Sequence, residues 1–422
     1  MTKVEWQEMN KGATLLGQIP LSRLPSHTIR QNMKYLLILG DGMADEPVAE
    51  LGGRTPLEVA KKPNMDRIAR EGKCGMMKTV PDSQEPGSDV ANMSILGYDP
   101  DKYYTSRGAL EAVSMGVPFG PADLAYRCNF VTIEDGKMKD FAAGHITSDE
   151  GKQLFASLQE RLKDFGVKLY PGVSYRNVLM LPGGKGSVTK APHDIVGELI
   201  DPYLPTGEDA LVLHKFMVIS YDVFANHPVN KARIAAGKNP ANMIWPWSGG
   251  AKPAMPQFSE MFGKKGAVIS AVDLLFGIAR CAGMEVVKVP GATGYLDTDY
   301  MGKAKAAVET LKGDADFVYL HVEATDEAGH LGSVEEKIKA IERLDEAVGY
   351  ILDNFDGCVM LMPDHPTPIA KKTHTRDPVP FAVLGLGGKD EVAVYTEKEI
   401  ALKGSYGMVK STDLLKMIFA GN

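Results

Sequence analysis

The chain has 422 residues, 44% of them hydrophobic and 24% charged, with a formal net charge of −7. That length exceeds one ordinary domain, so two are expected, and the acidic balance argues against nucleic acid as the main partner, which calls for a basic face. No apolar run reaches the length of a membrane span, so no membrane partner is expected, and four scattered cysteines without a CxxC pair suit a reducing cytoplasm.

Residues 1–32 lack the continuous apolar core of a signal peptide and read as an N-terminal extension. The first clear strand, Tyr35 to Leu39, runs into Gly40-Asp41, and residues 56–70 read as a helix. In EPGSDVANMSILGYDP (85–100), Gly87 allows a tight approach and Ser88 opens a helix from Asp89 to Leu96. A phosphate on Ser88 would face free backbone N–H groups at the positive helix end. A metal on its hydroxyl would make it an alkoxide nucleophile. On local grounds alone, a helix N-cap is the plainer reading of this serine.

Residues 122–265 have an antiparallel α+β character and read as a second domain inserted into the first. Asp135-Gly136 is a hairpin signal. Strands are expected at 178–181 and 187–190, flanking the turn at 183–186, and at 212–219. The Gly-, Pro- and aromatic-rich stretch 246–262 reads as a return hinge, and 268–282 as a helix. The expected boundaries are therefore 1–32, 33–121, 122–265 and 266–422.

Two further strands share the grammar of the first. Phe317 to Val322 leads to Asp326, and Val359 to Met362 leads to Asp364-His365. Between them Ser333 and Glu336 form a capping-box pattern before Ile338, Ile341, Leu344, Val348 and Ile351, an apolar face at helical spacing. Continuous apolar runs suit strands covered on both faces, so the fold class is α/β, a mostly parallel sheet between helices. Ligands of such sheets bind beyond the carboxyl ends of the strands. Three acids placed there from distant parts of the chain can converge on one site.

ATDEAGH (324–330) sets Asp326 and His330 four apart, close enough to hold one metal, and His374 would complete a three-ligand set. Asp41, Asp364 and His365 could form a second site, and two close cations suit phosphoryl transfer. Imidazoles with carboxylates suit zinc, manganese or iron. No GxxxxGK[ST] loop and no GxGxxG after a strand is present, so no known ATP cradle is available.

LILGDGMAD (37–45), KKPNMDRIAREG (61–72), PGSDVANMSILGYDPDKYYTSRGALEA (86–112), YRCNFVT (126–132), ATDEAGH (324–330), PDHPTP (363–368) and THTRDPVPF (373–381) occur in order. Together they resemble the alkaline-phosphatase superfamily, and most closely its archaeal-type, cofactor-independent phosphoglycerate mutases. The resemblance implies that fold with an inserted substrate-clamping domain, and a cytoplasmic enzyme acting on a small phosphorylated substrate. It implies two divalent ions, manganese foremost, with zinc, cobalt or magnesium as alternatives. One would be held by Asp326, His330 and His374, the other by Asp41, Asp364, His365 and Ser88. Ser88 would accept the phosphoryl group and return it to the neighbouring hydroxyl. Arg107, Arg127 and Arg176 are expected anion contacts, because arginine offers a two-pronged fork to phosphate or carboxylate. Asn92 and His145 are expected to contact substrate as well.

Three positions depart from the mutase pattern. Asn92 stands where histidine is common, His145 where arginine follows the glycine, and Glu323 where lysine is usual. These features resemble a bacterial subgroup proposed to be a homoserine kinase, which is the alternative expectation for the substrate.

Overall fold

The structure is a computed structural model that describes residues 33–421; the extension expected at 1–32 lies outside the described residues. In chain order its strands are β1 (Tyr35–Gly40), β2 (Lys73–Lys78), β3 (Leu124–Glu134), β4 (Lys137–Asp140), β5 (Lys168–Tyr170), β6 (Arg176–Leu181), β7 (Ser187–Val188), β8 (Thr206–Gly207), β9 (Met243–Gly250), β10 (Gly266–Ile269), β11 (Glu285–Val287), β12 (Phe317–Val322), β13 (Cys358–Met362), β14 (Val379–Leu384) and β15 (Met408–Lys410). Among the described residues one sheet has eight strands in the order β11-β10-β12-β1-β13-β14-β2-β15. The fold class is α/β.

Its centre follows from the apolar runs. Leu36 to Leu39, Phe317 to Val322 and Cys358 to Met362 are buried throughout, as strands covered on both faces must be. β12 and β13 both pair in parallel with β1, with Gly40 opposite Val322 and Leu39 opposite Met362. The residues that leave these three strands therefore emerge side by side at one edge. Helix Val334–Asn354 covers one face. Ser333 accepts from Glu336 N at its start, and Ile341, Leu344, Val348 and Ile351 pack into the core with Leu36, Ile38 and Leu361.

A second sheet joins β4, β3, β6 and β5 antiparallel, with β9 added along β3. It has its own core around Phe130, Phe216, Trp245 and Leu158. Asp135 and Gly136 both have positive φ (51° and 72°), the conformation that an Asp-Gly hairpin requires.

Several expected elements differ. Residues 56–70 form two helices, Pro56–Val59 and Pro63–Glu71, because Pro63 can begin a helix but not continue one. Residues 212–219 lie in helix Ala210–Ala225, not a strand. Its buried residues Leu213, Phe216, Met217, Ser220 and Phe224 recur every three or four positions, and that packing overrides the valines and isoleucine. Val268 and Ile269 belong to β10, and the helix begins only at Asp273. Ser187–Val188 pairs with β8 and not with β6. Of the expected hinge, 246–250 completes β9 and Phe258–Phe262 is helical, leaving 251–257 without regular structure.

Candidate active site

Asp41 follows β1, Asp364 and His365 follow β13, and Asp326 and His330 sit on helix Ala324–Leu331 just beyond β12. All three strands are neighbours, so the side chains meet. Gly42 makes the meeting possible. Its φ is 59°, and a Cβ there would overlap Asp326 Oδ1 and Thr367 Oγ1. Gly42→Ala is expected to cost about 1–3 kcal/mol for the left-handed backbone alone, read as a lower urea midpoint, and to displace Asp326 as well.

The histidines share one orientation. His330 Nδ1 lies 3.0 Å from Lys372 O, and His374 Nδ1 lies 3.4 Å from Pro86 O. A carbonyl only accepts, so each Nδ1 carries the proton and each Nε2 turns a lone pair inward. These Nε2 atoms lie 3.1 Å apart, with Asp326 Oδ2 3.1 Å from one and Oδ1 3.5 Å from the other. His365 obeys the same rule. Thr367 Oγ1 donates to Asp326 Oδ1 and so accepts from His365 Nδ1 at 3.3 Å. That leaves His365 Nε2 facing Ser88 Oγ (3.1 Å), Asp364 Oδ2 (3.4 Å) and Asp41 Oδ1 (3.5 Å).

Lone pairs aimed at one another and at carboxylates are stable only around a cation. Asp41 Oδ1, buried and without a hydrogen-bond partner, makes the same demand. The electrostatics agree. Burial, with Asp364 and Asp326 beside it, pushes the Asp41 carboxyl well above the usual carboxylate range. Burial also works to raise Asp326, but hydrogen bonds from His330 and His374 hold it well below that range. Its bond to Asp326 pushes His330 up to about 9. Because ligands bind a metal in their deprotonated form, a divalent ion bound here would compete with protons for these groups. The residues fit divalent cations in two groups. The ligand atoms of Asp326, His365 and His374 lie within 4.8 Å of one another, as do those of Asp41, His321 and Asp364; His330 adjoins the first group through Asp326, and Ser88 reaches the His365 ring.

Ser88 is the first residue of helix Ser88–Ile95, and the cap is Gly87, which offers no side chain. The N-cap reading of Ser88 is therefore excluded. The hydroxyl is half-buried and reaches the cation groups through His365, not its own helix. Asn92, one turn along, donates to Ser88 O at 2.7 Å and to Asp364 Oδ2 at 2.8 Å and accepts from Tyr319 Oη. Expected as a substrate contact, its amide is instead engaged on protein atoms and holds Asp364 in place.

A cluster of cations faces this edge. Arg107 Nε bonds Asp89 Oδ2 at 2.9 Å, directly beside Ser88. Arg127 pairs with Glu111 at 3.1 Å and lies over the Trp247 ring at 4.5 Å. Arg176, exposed on β6, lies over Tyr175 at 5.7 Å, and the exposed His145 ring is 6.2 Å from that same tyrosine. The guanidinium groups are within electrostatic reach of one another. Burial lowers the pKa of Arg127, and the Arg107 and Arg176 charges push the same way against the pull of Glu111. Arg176 also reaches Glu327, next to Asp326. Arginines of and beside the second sheet thus lie within electrostatic reach of the acidic edge of the first.

Residues 69–230 match the family model described as 2,3-bisphosphoglycerate-independent phosphoglycerate mutase. A protein of that name from Methanothrix thermoacetophila is 52% identical over 396 residues, covering 92% of this chain and 100% of the relative. The chain belongs to this mutase family. A namesake from Methanosarcina acetivorans is 51% identical over 92% of this chain and 99% of its own. Among solved structures, the PH0037 protein from Pyrococcus horikoshii superposes with a TM-score of 0.80 at 33% identity, over 92% of this chain and 97% of that one. The cofactor-independent phosphoglycerate mutase of Thermoplasma acidophilum gives 0.64 at 29%, over 91% and 98%.

Two further residues belong to the neighbourhood of this mutase-family site. His193 lies 5.4 Å from the Trp247 ring, and burial lowers its pKa, with Arg127 and Arg107 adding to the effect against Asp194. Nothing in the linear context of Ala191-Pro192-His193-Asp194 marks it. His321, fully buried, places Nε2 3.1 Å from Asp41 Oδ2. Its signal was legible, because it lies near the end of the strand that delivers Asp326.

Proposed function

We propose that the protein interconverts 3-phosphoglycerate and 2-phosphoglycerate through a phosphoserine at Ser88, without 2,3-bisphosphoglycerate. The observation that supports this most is the position of Ser88 Oγ, at the start of a helix and 3.1 Å from His365 Nε2. Asp41, Asp364, His365 and Ser88 would hold one divalent ion and Asp326, His330 and His374 the other, with manganese the leading identity. Bound there, the ions supply positive charge that favours the serine alkoxide and offsets the phosphoryl oxygens.

Ser88 Oγ, having lost its proton, attacks phosphorus in line. The bond from phosphorus to one glycerate oxygen breaks, and that oxygen takes up a proton. The free N–H groups at the helix start face the phosphate carried on Ser88. Glycerate turns within the pocket, its other hydroxyl loses a proton and attacks, and Ser88 is regenerated. Arg107, Arg127, Arg176 and His145 keep the anionic glycerate from leaving. Residues 122–265, between 33–121 and 266–422, would clamp over it and exclude water, which separates a mutase from a phosphatase. A cytoplasmic setting suits the enzyme; among the described residues no helix is long and apolar enough to cross a membrane.

The test is phosphorus NMR of 3-phosphoglycerate with manganese-loaded protein and no nucleotide. A 2-phosphoglycerate resonance is expected; free phosphate as the main product, or an unchanged spectrum, would overturn the reading. Arg176→Ala should raise KM about tenfold or more with an unchanged melting temperature, because the side chain is exposed. Arg127→Ala should in addition lower the melting temperature, because it leaves the half-buried Glu111 carboxylate without its partner.

A further inference from the structure

The position where this family pattern leads one to expect lysine carries Glu323, 3% exposed at the end of β12. It is not a substrate contact. Lys303 Nζ, fully buried on helix Tyr300–Lys312, donates to Glu323 Oε2 at 2.5 Å. Ser270 Oγ and Ala271 N, in the turn after β10, each donate to Oε1 at 2.9 Å. His321 Nδ1 lies 3.1 Å from the same oxygen. Lys303 also donates to His321 O at 3.0 Å, tying the strand end to the helix.

A carboxylate offers only acceptors, so His321 Nδ1 must donate, and the ring is fixed in one orientation. That orientation carries Nε2 to 3.1 Å from Asp41 Oδ2. The opposite oxygen, Asp41 Oδ1, turns toward His365 Nε2; it and His321 Nε2 are both buried without a hydrogen-bond partner, so His321 meets Asp41 as an ion-pair contact. The two oxygens of one aspartate thus have different neighbours: a fixed imidazole on one side, the cation group on the other. The ammonium of Lys303 offsets the added carboxylate, so the arrangement brings no net negative charge to a centre already rich in it.

We propose that His321, oriented by Glu323 and Lys303, is a positioning residue that holds Asp41 with Oδ1 presented to the cation shared with Asp364, His365 and Ser88. The inference rests on the two-cation reading above. Groups that orient a ligand from outside the coordination sphere typically change metal affinity about 10- to 100-fold.

The experiment uses the full chain, stripped with chelator and titrated calorimetrically with manganese, then with cobalt(II), whose visible absorption reports ligand geometry. In His321→Asn one of the two equivalents should weaken about 10- to 100-fold while the other binds as before. The cobalt band of the weakened equivalent should shift. Glu323→Gln should move the same equivalent in the same direction, which keeps the test open if the first variant folds poorly. Unchanged binding of both equivalents would overturn the proposal. So would equal weakening of both with a matching fall in the metal-free melting temperature, which would mark a purely structural role. Wild-type protein that binds fewer than two ions would instead overturn the reading on which the proposal rests.

Discussion

Ser88→Ala is expected to lower mutase turnover by about a thousandfold or more, because removing a nucleophile leaves no alternative first bond to phosphorus. The hydroxyl makes no cap to its own helix, so the loss carries little folding cost; Gly87 remains the cap and Asn92 still donates to the main chain at Ser88. A cation held by Asp41, Asp364, His365 and Ser88 would lose one neighbour and keep three. The variant should therefore melt near the parent temperature and still bind two ions, yet give no 2-phosphoglycerate resonance. Rapid-quench labelling with 32P-labelled substrate should find acid-stable phosphate on the parent protein and none on the variant. Turnover within tenfold of the parent would remove the covalent route.

Stripping divalent ions is expected to abolish turnover completely and reversibly. The physical reason lies in Asp41, Asp326 and Asp364, three buried carboxylates; burial, and then the charges of the other two, raise the Asp41 pKa. Without cations the centre must take up protons, and the metal charge that would favour the serine alkoxide is missing. Because the ions bind only the folded chain, they should also stabilise it, by about 2.7 kcal/mol at a free concentration one hundred times Kd. Activity after EDTA and dialysis, restoration by manganese, and the shift of melting temperature with manganese concentration give the readout. Full activity in protein shown by elemental analysis to be free of metal would sink the two-cation reading.

What could be read in the sequence, and what could not, divides along physical lines. The three central strands were legible because burial on both faces writes itself as an unbroken apolar run, and the strand-end position then marks Asp41, Asp364 and His365 as neighbours. Helix Ala210–Ala225 was misread because its valines and isoleucine favour strands locally, whereas the deciding period, Leu213 to Phe224, is a property of its contact with β9. Pro63 is a clear stop for a helix begun at Pro56, and the sequence reading passed over it.

The side-chain roles divide in the same way. Asn92 and Glu323 stood out as departures and invited a change of substrate. The structure places their polar atoms on Asp364, Tyr319, Lys303 and His321, so both side chains are engaged within the protein. Lys303 could not be paired with Glu323 from sequence, since the helix that carries it gives no sign of which strand end it will meet. His193 acquires meaning only because the second sheet folds it against Trp247.

The order of strands also sets a timetable for synthesis. β1 is made before the other described elements and ends at the middle of its sheet, yet its two partners begin only at Phe317 and Cys358. The five-stranded sheet, by contrast, is complete once Gly250 has left the ribosome. A nascent chain can therefore finish its inner module while an apolar strand, Leu36 to Leu39, still waits for a neighbour. Such long-range parallel pairing is slow and leaves sticky edges open. Because His374 lies beyond the last of these partners, a product that ends before it lacks one of the candidate ligands however well the rest folds.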